Sequence, residues 1–240
     1  MHCHDYIKNL PDNYINLIIL DPPYGNIVKD DWDREFTTSK AMTPEFITEC
    51  FRVLKDSGNL YCFCGIGEKS QSLIEFFMLF HYNNLFKFKD LITWKKNRGI
   101  GMKKGWLYTR EEILWYVKDN KKFQWNKENQ YSNEKRNYIR KCGKTYYKRI
   151  SNIWTDINEV GYGDNPYNYR EKRQKINHST PKPVDLIKRL ILLHTKENDI
   201  VADFFLGSGS TIDACKDLNR NFVGCELNYN FYKNLIDKIT

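Results

Sequence analysis

Two short stretches of the chain carry residue types at spacings that can do chemistry. The first is Asp21-Pro22-Pro23-Tyr24, which ends a β-branched apolar run from Ile15 to Leu20. An exocyclic amine such as N6 of adenine is a poor nucleophile, because its lone pair is delocalised into the ring. A carboxylate accepting one N–H and a backbone carbonyl accepting the other would draw that nitrogen towards tetrahedral geometry. Asp21 supplies the first acceptor and the Pro22 carbonyl the second, while the prolines stiffen the loop and preorganise both. Tyr24 can stack on a base taken out of a duplex. The plainer reading of the same four residues is a proline-rich turn with a capping Asp.

The second stretch runs Asp203-Phe204-Phe205-Leu206-Gly207-Ser208-Gly209-Ser210-Thr211. Glycines after an apolar run let the backbone approach a ligand closely, and a helix start offers free N–H groups. Glu226 follows at about the separation expected of an acid that binds ribose hydroxyls. A dinucleotide-binding fold is the obvious rival, but the third glycine of G-x-G-x-x-G is replaced by Ile212. Each stretch ends an apolar strand, so both can face one cleft. One would hold a nucleoside cofactor and the other an amine.

The elements that must position them alternate. Ile15 to Leu20 reads as a buried parallel strand, and Thr43-Pro44-Glu45 opens a helix with a cap and a first-turn proline. A strand at Asn59 to Cys64, a helix from about Lys69 to Phe80, and strands at Leu91 to Trp94 and Ile113 to Val117 follow. A helix from Pro183, a strand at Ile200 to Phe204, a helix at Thr211 to Leu218, a strand at Phe222 to Cys225 and a last helix complete the order. This predicts an α/β fold with a mostly parallel sheet covered on both faces. Between about Lys118 and Arg173 the apolar periodicity fades, and Lys, Arg, Asn and Tyr dominate. That stretch reads as an insertion within a single 1–240 domain.

Bulk properties narrow the classes. The chain has 240 residues, 41% hydrophobic and 15% aromatic, which is globular composition and too short for two comfortable domains. Its net charge of +8 favours a polyanionic partner without specifying chemistry. No apolar run approaches the roughly 20 residues that span a bilayer, and Met1-His2-Cys3-His4-Asp5 lacks a signal-peptide plan. A cytoplasmic protein is expected, with its seven cysteines reduced and packed as small hydrophobes. His2-Cys3-His4 and Cys62-Phe63-Cys64 match no common zinc spacing, so no metal is expected.

With both motifs in place, the chain resembles the amino-methylating DNA methyltransferases, whose hallmarks are D/N/S-P-P-Y/F/W and F-x-G-x-G. The catalytic tetrad comes first and the cofactor loop last, which is similar to the circularly permuted β group. Val53 to Tyr61, Ile92 to Asn97 and Arg110 to Trp115 look like further family segments, and His178 to Pro183 resembles H-P-T-Q-K-P. The resemblance implies a Rossmann-like S-adenosylmethionine-dependent fold. It implies that Asp21, Pro22, Pro23 and Tyr24 are catalytic. It places Asp203, Phe205, Gly207, Gly209 and Ser210 along the cofactor, with Glu226 on its ribose, Lys182 near its methionine end and Asn228 nearby. Residues 118–173 fall where the family keeps its target-recognition region, and homodimers occur in the β group. His2 stands where the family has an acid, Ser179 and Pro181 replace its first Pro and its Gln, and Phe204 replaces a common Pro.

The expected reaction is direct methyl transfer from S-adenosylmethionine to adenine N6 in double-stranded DNA with a flipped target base. The setting would be restriction-modification, phage or regulatory. Asp at the head of the tetrad favours adenine N6 over the alternative, cytosine N4. A non-catalytic nucleic-acid-binding relative is the reading of another class. Expected DNA contacts are Lys95, Lys96, Arg98, Lys103 and Lys104 in a basic loop, with Arg140, Lys144 and Arg149 in the insertion. The interleaved Trp125, Tyr131, Tyr138, Tyr146 and Tyr147 read more readily as a satellite core than as stacking residues.

Overall fold

The computed structural model describes residues 2–24, 38–67, 70–100, 104–135, 147–160 and 181–239. Its helices are α1 (Cys3–Lys8), α2 (Thr38–Ala41), α3 (Pro44–Val53), α4 (Ser72–Asn83), α5 (Val184–His194), α6 (Ser210–Asp217) and α7 (Tyr229–Ile239). Its strands are β1 (Ile15–Leu20), β2 (Leu54–Cys64), β3 (Lys87–Ile100), β4 (Tyr108–Val117), β5 (Tyr131–Lys135), β6 (Tyr147–Arg149), β7 (Ile153–Trp154), β8 (Ile200–Asp203) and β9 (Asn221–Gly224).

Seven strands form one sheet in the order β7-β3-β4-β2-β1-β8-β9. β1 pairs parallel with both β2 and β8, β8 with β9, and β3 with β7. Only β4 opposes its neighbours β2 and β3, which is the mostly parallel sheet expected. β1 is central because its residues suit both faces. Ile18 and Leu20 pack with Phe46, Cys50, Phe76 and Phe80 from α3 and α4, while Leu17 and Ile19 pack with Leu186, Leu190 and Ala214 from α5 and α6. Successive strand side chains point to opposite faces, so the four consecutive apolar residues Leu17 to Leu20 serve two helical layers.

The register brings the two motifs together. Ile19 lies opposite Asp203 on β8, and Leu20 opposite Cys62 on β2. Asp21 therefore leaves the sheet beside the start of the glycine loop. The chain turns to one side after β1 and returns on the other at β8, and open α/β sheets bind ligands at such a switch point.

Local chemistry sets the boundaries. Thr43 Oγ1 accepts from Phe46 N at 3.2 Å, capping α3 ahead of Pro44, a contribution of about 1 kcal/mol. The helix expected from Lys69 begins instead at Ser72, because the Ser72 hydroxyl is tied to Gly65 N at 2.8 Å. Asn84, in the left-handed region, closes it. β2, β3 and β4 run well beyond the stretches expected from apolar pattern. Their ladder carries the polar ends Asp56, Lys95 and Arg110 with it.

The described part of the 118–173 stretch is ordered against the sheet. Trp125 stacks on Trp115 with ring centroids 5.4 Å apart, and the Asn126 amide donates to the Leu192 and Thr195 carbonyls at the end of α5. β5 and β6 form a separate hairpin, and β7 joins the edge of the main sheet. Trp125 thus has the packed role expected, whereas Tyr131 and Tyr147 stand about half exposed. Tyr138, Tyr146 and residues 161–173 lie outside the described residues. The six cysteines described are free and buried. Among the described residues no helix is long and apolar enough to cross a membrane.

Candidate active site

Asp21 emerges from β1 into a buried group of charges. The Lys182 ammonium lies 2.7 Å from both Asp21 oxygens, and the Tyr24 hydroxyl donates to Oδ1 at 2.9 Å. Lys182 is only 8% exposed, so its charge must be met by protein. Burial pushes its pKa down, but Asp21 and Glu111 more than offset this and hold it above the ordinary lysine value. The Nζ also stands 5.5 Å from the Tyr24 ring and 5.1 Å from that of Phe63. Burial, then the charges of Asp21 and Glu111, keep the Tyr24 phenol protonated far above its usual range.

Glu111, on β4, completes the group. One of its oxygens holds the Lys96 ammonium at 2.9 Å, and Oε2 lies 3.8 Å from Lys182 Nζ. That Oε2 is buried and has no hydrogen-bond partner among the described residues. Burial raises the Glu111 pKa, yet Lys182 and Lys96 pull it below the ordinary value, so the carboxylate is ionised. Two ammonium groups and two carboxylates therefore alternate in the order Asp21, Lys182, Glu111, Lys96. Removing one member would leave a buried charge uncompensated, at a cost of about 3–5 kcal/mol.

One strand away, the glycine loop is built on backbone donors. Glu226 Oε2 accepts from Gly207 N and Oε1 from Asn228 N, each at 2.7 Å. Burial raises the Glu226 pKa despite these bonds. Asp203 accepts from Phe205 N at 2.9 Å and from the Thr211 hydroxyl at 2.6 Å, and burial raises its pKa to about 7. Gly207 and Gly209 both have positive φ, at 48° and 80°. A Cβ on Gly209 would also come within 2.6 Å of Leu235 Cδ2 on α7. Gly209 precedes α6 with no side-chain cap, which leaves first-turn N–H groups for a ligand. The Ser210 hydroxyl donates to the Lys182 carbonyl at 2.7 Å, tying the loop to the lysine that meets Asp21.

The expected catalytic and cofactor residues thus converge on one edge of the sheet. Two departures have local explanations. Phe204 is core, edge-on to Phe46 at 5.7 Å and to Tyr6 at 6.4 Å. His2 caps α1, with Nδ1 accepting from His4 N at 3.2 Å. His2, Cys3 and His4 place potential ligand atoms within 4.8 Å of one another. However, His4 Nε2 is at 3.0 Å from the Ala41 carbonyl, and burial pushes the Cys3 thiol up to about 12.

The expected DNA contacts divide. Lys95, Lys104 and Arg149 are exposed. Lys96 is turned inward onto Glu111 instead, because an unpaired carboxylate there would be costly. Lys103, Arg140, Lys144 and the Arg98 side chain lie outside the described residues. Glu111 was missed as a site residue; its signal is a charge pair, Glu111-Glu112, directly before the apolar run Ile113 to Val117. The β3–β4 hairpin also ends in Trp106, which is 92% exposed.

Residues 15–237 match the family of N6/N4 methyltransferases described as DNA methylases. The chain is 35% identical to the type II methyltransferase M.HpaI of Haemophilus parainfluenzae, over 92% of this chain and 67% of that protein. It is 30% identical to the DNA adenine methyltransferase YhdJ of Escherichia coli K12, over 95% and 76%. Among solved structures, the M1.HpyAVI complex with SAM superposes with a TM-score of 0.67 at 26% identity, covering 100% of this chain and 97% of that one. The cytosine-N4-specific PvuII DNA methyltransferase shares the fold, with a TM-score of 0.71 at 13% identity, over 100% and 84%.

Proposed function

The chain belongs to the N6/N4 DNA methylase family, and from that membership we propose that it methylates adenine N6, with Asp21 and the Pro22 carbonyl receiving the target amine. As a family member it is an S-adenosylmethionine-dependent DNA methyltransferase. The observation that carries the residue assignment is the register of Ile19 with Asp203, which sets the tetrad beside the glycine loop.

The donor set suits the cofactor. Glu226 at the end of β9 would receive the ribose hydroxyls; a carboxylate oxygen accepts more than one hydrogen bond, so its anchoring by Gly207 and Asn228 does not exhaust it. Gly207 and Gly209 keep side chains out of the loop, with Asp203, Phe205 and Ser210 along it. Lys182 would close the methionine end, its carbonyl already held by Ser210. When bound, S-adenosylmethionine supplies an electrophilic methyl group on its sulfonium. Asp21 accepts one N–H of the amine and the Pro22 carbonyl the other, exposing the lone pair for in-line displacement. Fixed acceptors of this kind act without reorganisation during reaction. Tyr24 would stack on the flipped base, held in place by its bond to Asp21.

Adenine is favoured by Asp at the head of the tetrad and by similarity to a relative named as an adenine methyltransferase. DNA would lie across the carboxyl edge of the sheet, meeting Lys95, Lys104 and Trp106 on the β3–β4 hairpin and Arg149 on β6. The remainder of residues 118–173 would read the sequence.

The test is methyl transfer from labelled cofactor to unmethylated bacterial DNA, with nucleoside mass spectrometry and an Asp21→Ala control. N6-methyladenine that disappears in the control is the expected result. N4-methylcytosine would overturn the base assignment. Absence of product from protein that still binds cofactor would mark a non-catalytic nucleic-acid-binding relative.

A further inference from the structure

Glu111 Oε2 is the feature of the pocket that the reaction as described leaves without a task. It is buried, has no hydrogen-bond partner among the described residues and faces Lys182 across 3.8 Å. Lys182 in turn covers both oxygens of Asp21 at 2.7 Å. In that arrangement Asp21 is engaged by an ammonium group, the strongest kind of donor, and a neutral amine would compete poorly for it. The pocket therefore needs somewhere for the ammonium to go, and a carboxylate oxygen 3.8 Å away, about half an ångström beyond hydrogen-bond reach, is already in place.

We propose that Glu111 is a positioning residue that takes over the Lys182 ammonium when the target amine arrives, releasing Asp21 to accept the amine N–H. This rests on the reading of Asp21 as the amine acceptor. In the exchange an Nζ–H···Oδ bond to Asp21 breaks. An Nζ–H···Oε2 bond to Glu111 and an amine N–H···Oδ bond to Asp21 form. No covalent bond changes and no proton moves. Two ammonium groups face two carboxylates before and after, so the pocket never holds a net charge. Lys96 secures the other Glu111 oxygen, which keeps Oε2 aimed at Lys182. The bond from Ser210 to the Lys182 carbonyl fixes the backbone, so only the flexible end of the side chain shifts.

The charged and titratable groups around the Lys182 ammonium are Asp21 and Tyr24 from the catalytic loop, Glu111 from β4 with Lys96 behind it, Cys64 from β2 and Asp203 from β8. Of these, Glu111 and Asp21 do most to hold the lysine protonated. Replacing Glu111 with Gln keeps the shape but removes one of those two supports. The ammonium would then stay on Asp21 at neutral pH and lose its proton at a lower pH than in the wild type.

The experiment compares wild type, Glu111→Gln, Lys182→Met and the double variant. Methyl transfer to unmethylated bacterial DNA at saturating labelled cofactor is followed from pH 6.5 to 9.5, with cofactor affinity and thermal melting in parallel. The expected result is a kcat for Glu111→Gln at least ten-fold below wild type at pH 7, with cofactor affinity within about three-fold. The deficit shrinks as pH rises and Lys182 releases its proton. In the Lys182→Met background the same substitution costs little more. A Glu111→Gln enzyme with wild-type kcat, a deficit constant with pH, or full additivity in the double variant would overturn the proposal. If Glu111→Gln does not fold, Glu111→Asp serves: it keeps the charge but withdraws the oxygen, and an unchanged kcat would again overturn it. Failure of the underlying reading looks different. There the wild type transfers no methyl group, or Asp21→Ala remains active, whatever Glu111 does.

Discussion

At the end of β1 the buried carboxylates face ammonium groups; at the ends of β8 and β9 they face backbone N–H groups. Asp21 and Glu111 meet Lys182 and Lys96, whereas Asp203 and Glu226 meet Phe205, Gly207 and Asn228 N. The difference shows in the ionisation. Glu111 is held below its ordinary pKa by its lysines, while burial is the largest influence on Asp203 and Glu226 and raises both. A long lysine side chain can change partners by rotating about its bonds. Backbone donors cannot. On the proposed reading the amine-accepting end is arranged for exchange of partners and the cofactor end for fixed acceptors. That suits a site that meets a new DNA segment at each turnover but a chemically identical cofactor molecule every time.

The sharpest way to break this comparison is to remove one carboxylate from each end. Asp21→Ala should lower kcat by about 10²–10³-fold or more, the usual effect of losing a preorganised polar group at the reacting atoms. Its cofactor affinity should stay within a few-fold, as measured by calorimetry. Glu226→Gln should do the reverse, weakening cofactor binding about ten-fold or more, as expected when a charged hydrogen-bond acceptor worth about 1.5–3 kcal/mol is lost, with a smaller effect on kcat at saturation. Equal effects of both variants on both quantities would mean that the two ends are not separate devices.

How much of this was legible in the sequence follows the same division. The glycine loop and the tetrad announce themselves locally, since proline, glycine and a carboxylate directly after an apolar run have few other reasons to be there. The alternation of strands and helices gave the sheet, and the parallel order was recovered apart from the reversal of β4. In the sequence Glu111 stands out only as part of Arg110 to Trp115, a segment that resembles one of the family's. Its meaning comes from Lys182, 71 residues further on, and from Lys96 across the hairpin, and a single sequence carries no signal for such pairings. For the same reason Lys96 reads as a surface cation among its basic neighbours, when its ammonium is spent internally. The aromatic stretch after Lys118 was ambiguous because aromatic residues serve packing and stacking equally. Trp125 packs and Tyr131 does not.

A second prediction sharpens the contrast through pH. Asp203 has a folded pKa of about 7, against an ordinary value of 3.8, with burial as the main cause. A carboxyl whose pKa rises on folding binds its proton more tightly in the native state. Its contribution to stability is therefore full below about pH 4 and is lost as pH rises towards 7. Asp203→Asn keeps the size and the hydrogen-bonding geometry but cannot ionise. Urea unfolding at pH 4.5 and pH 7.5 should show the variant gaining on the wild type as pH rises. The ceiling for about three pKa units is about 4 kcal/mol. A wild-type-to-variant difference that does not change with pH would show that Asp203 titrates as an ordinary carboxylate.

The smallest expected effect lies where the catalytic end meets its variable partner. β3 leaves the sheet at the same edge as β1, so the β3–β4 hairpin projects beyond the tetrad. Trp106 lies two residues before β4 opens at Tyr108 and five before Glu111. Leu107 is seated over Gly99, where a Cβ would come within 2.4 Å of its Cγ. Trp106 itself is 92% exposed, and burying an indole against a base recovers apolar area that the free protein leaves in water. Stacking of this kind contributes about 1–3 kcal/mol per base on alanine substitution, so Trp106→Ala should weaken DNA binding several-fold or more while melting temperature and cofactor affinity hold. Lys104→Ala should act through phosphate instead, reducing the salt dependence of binding by about one counterion. If the indole stacks in the gap left by a flipped base, the Trp106→Ala defect should be smaller on DNA with a mismatch at the target, where unpairing is already cheap. Should the defect be equal on matched and mismatched DNA, Trp106 grips the duplex elsewhere, and base extrusion falls to the catalytic loop alone.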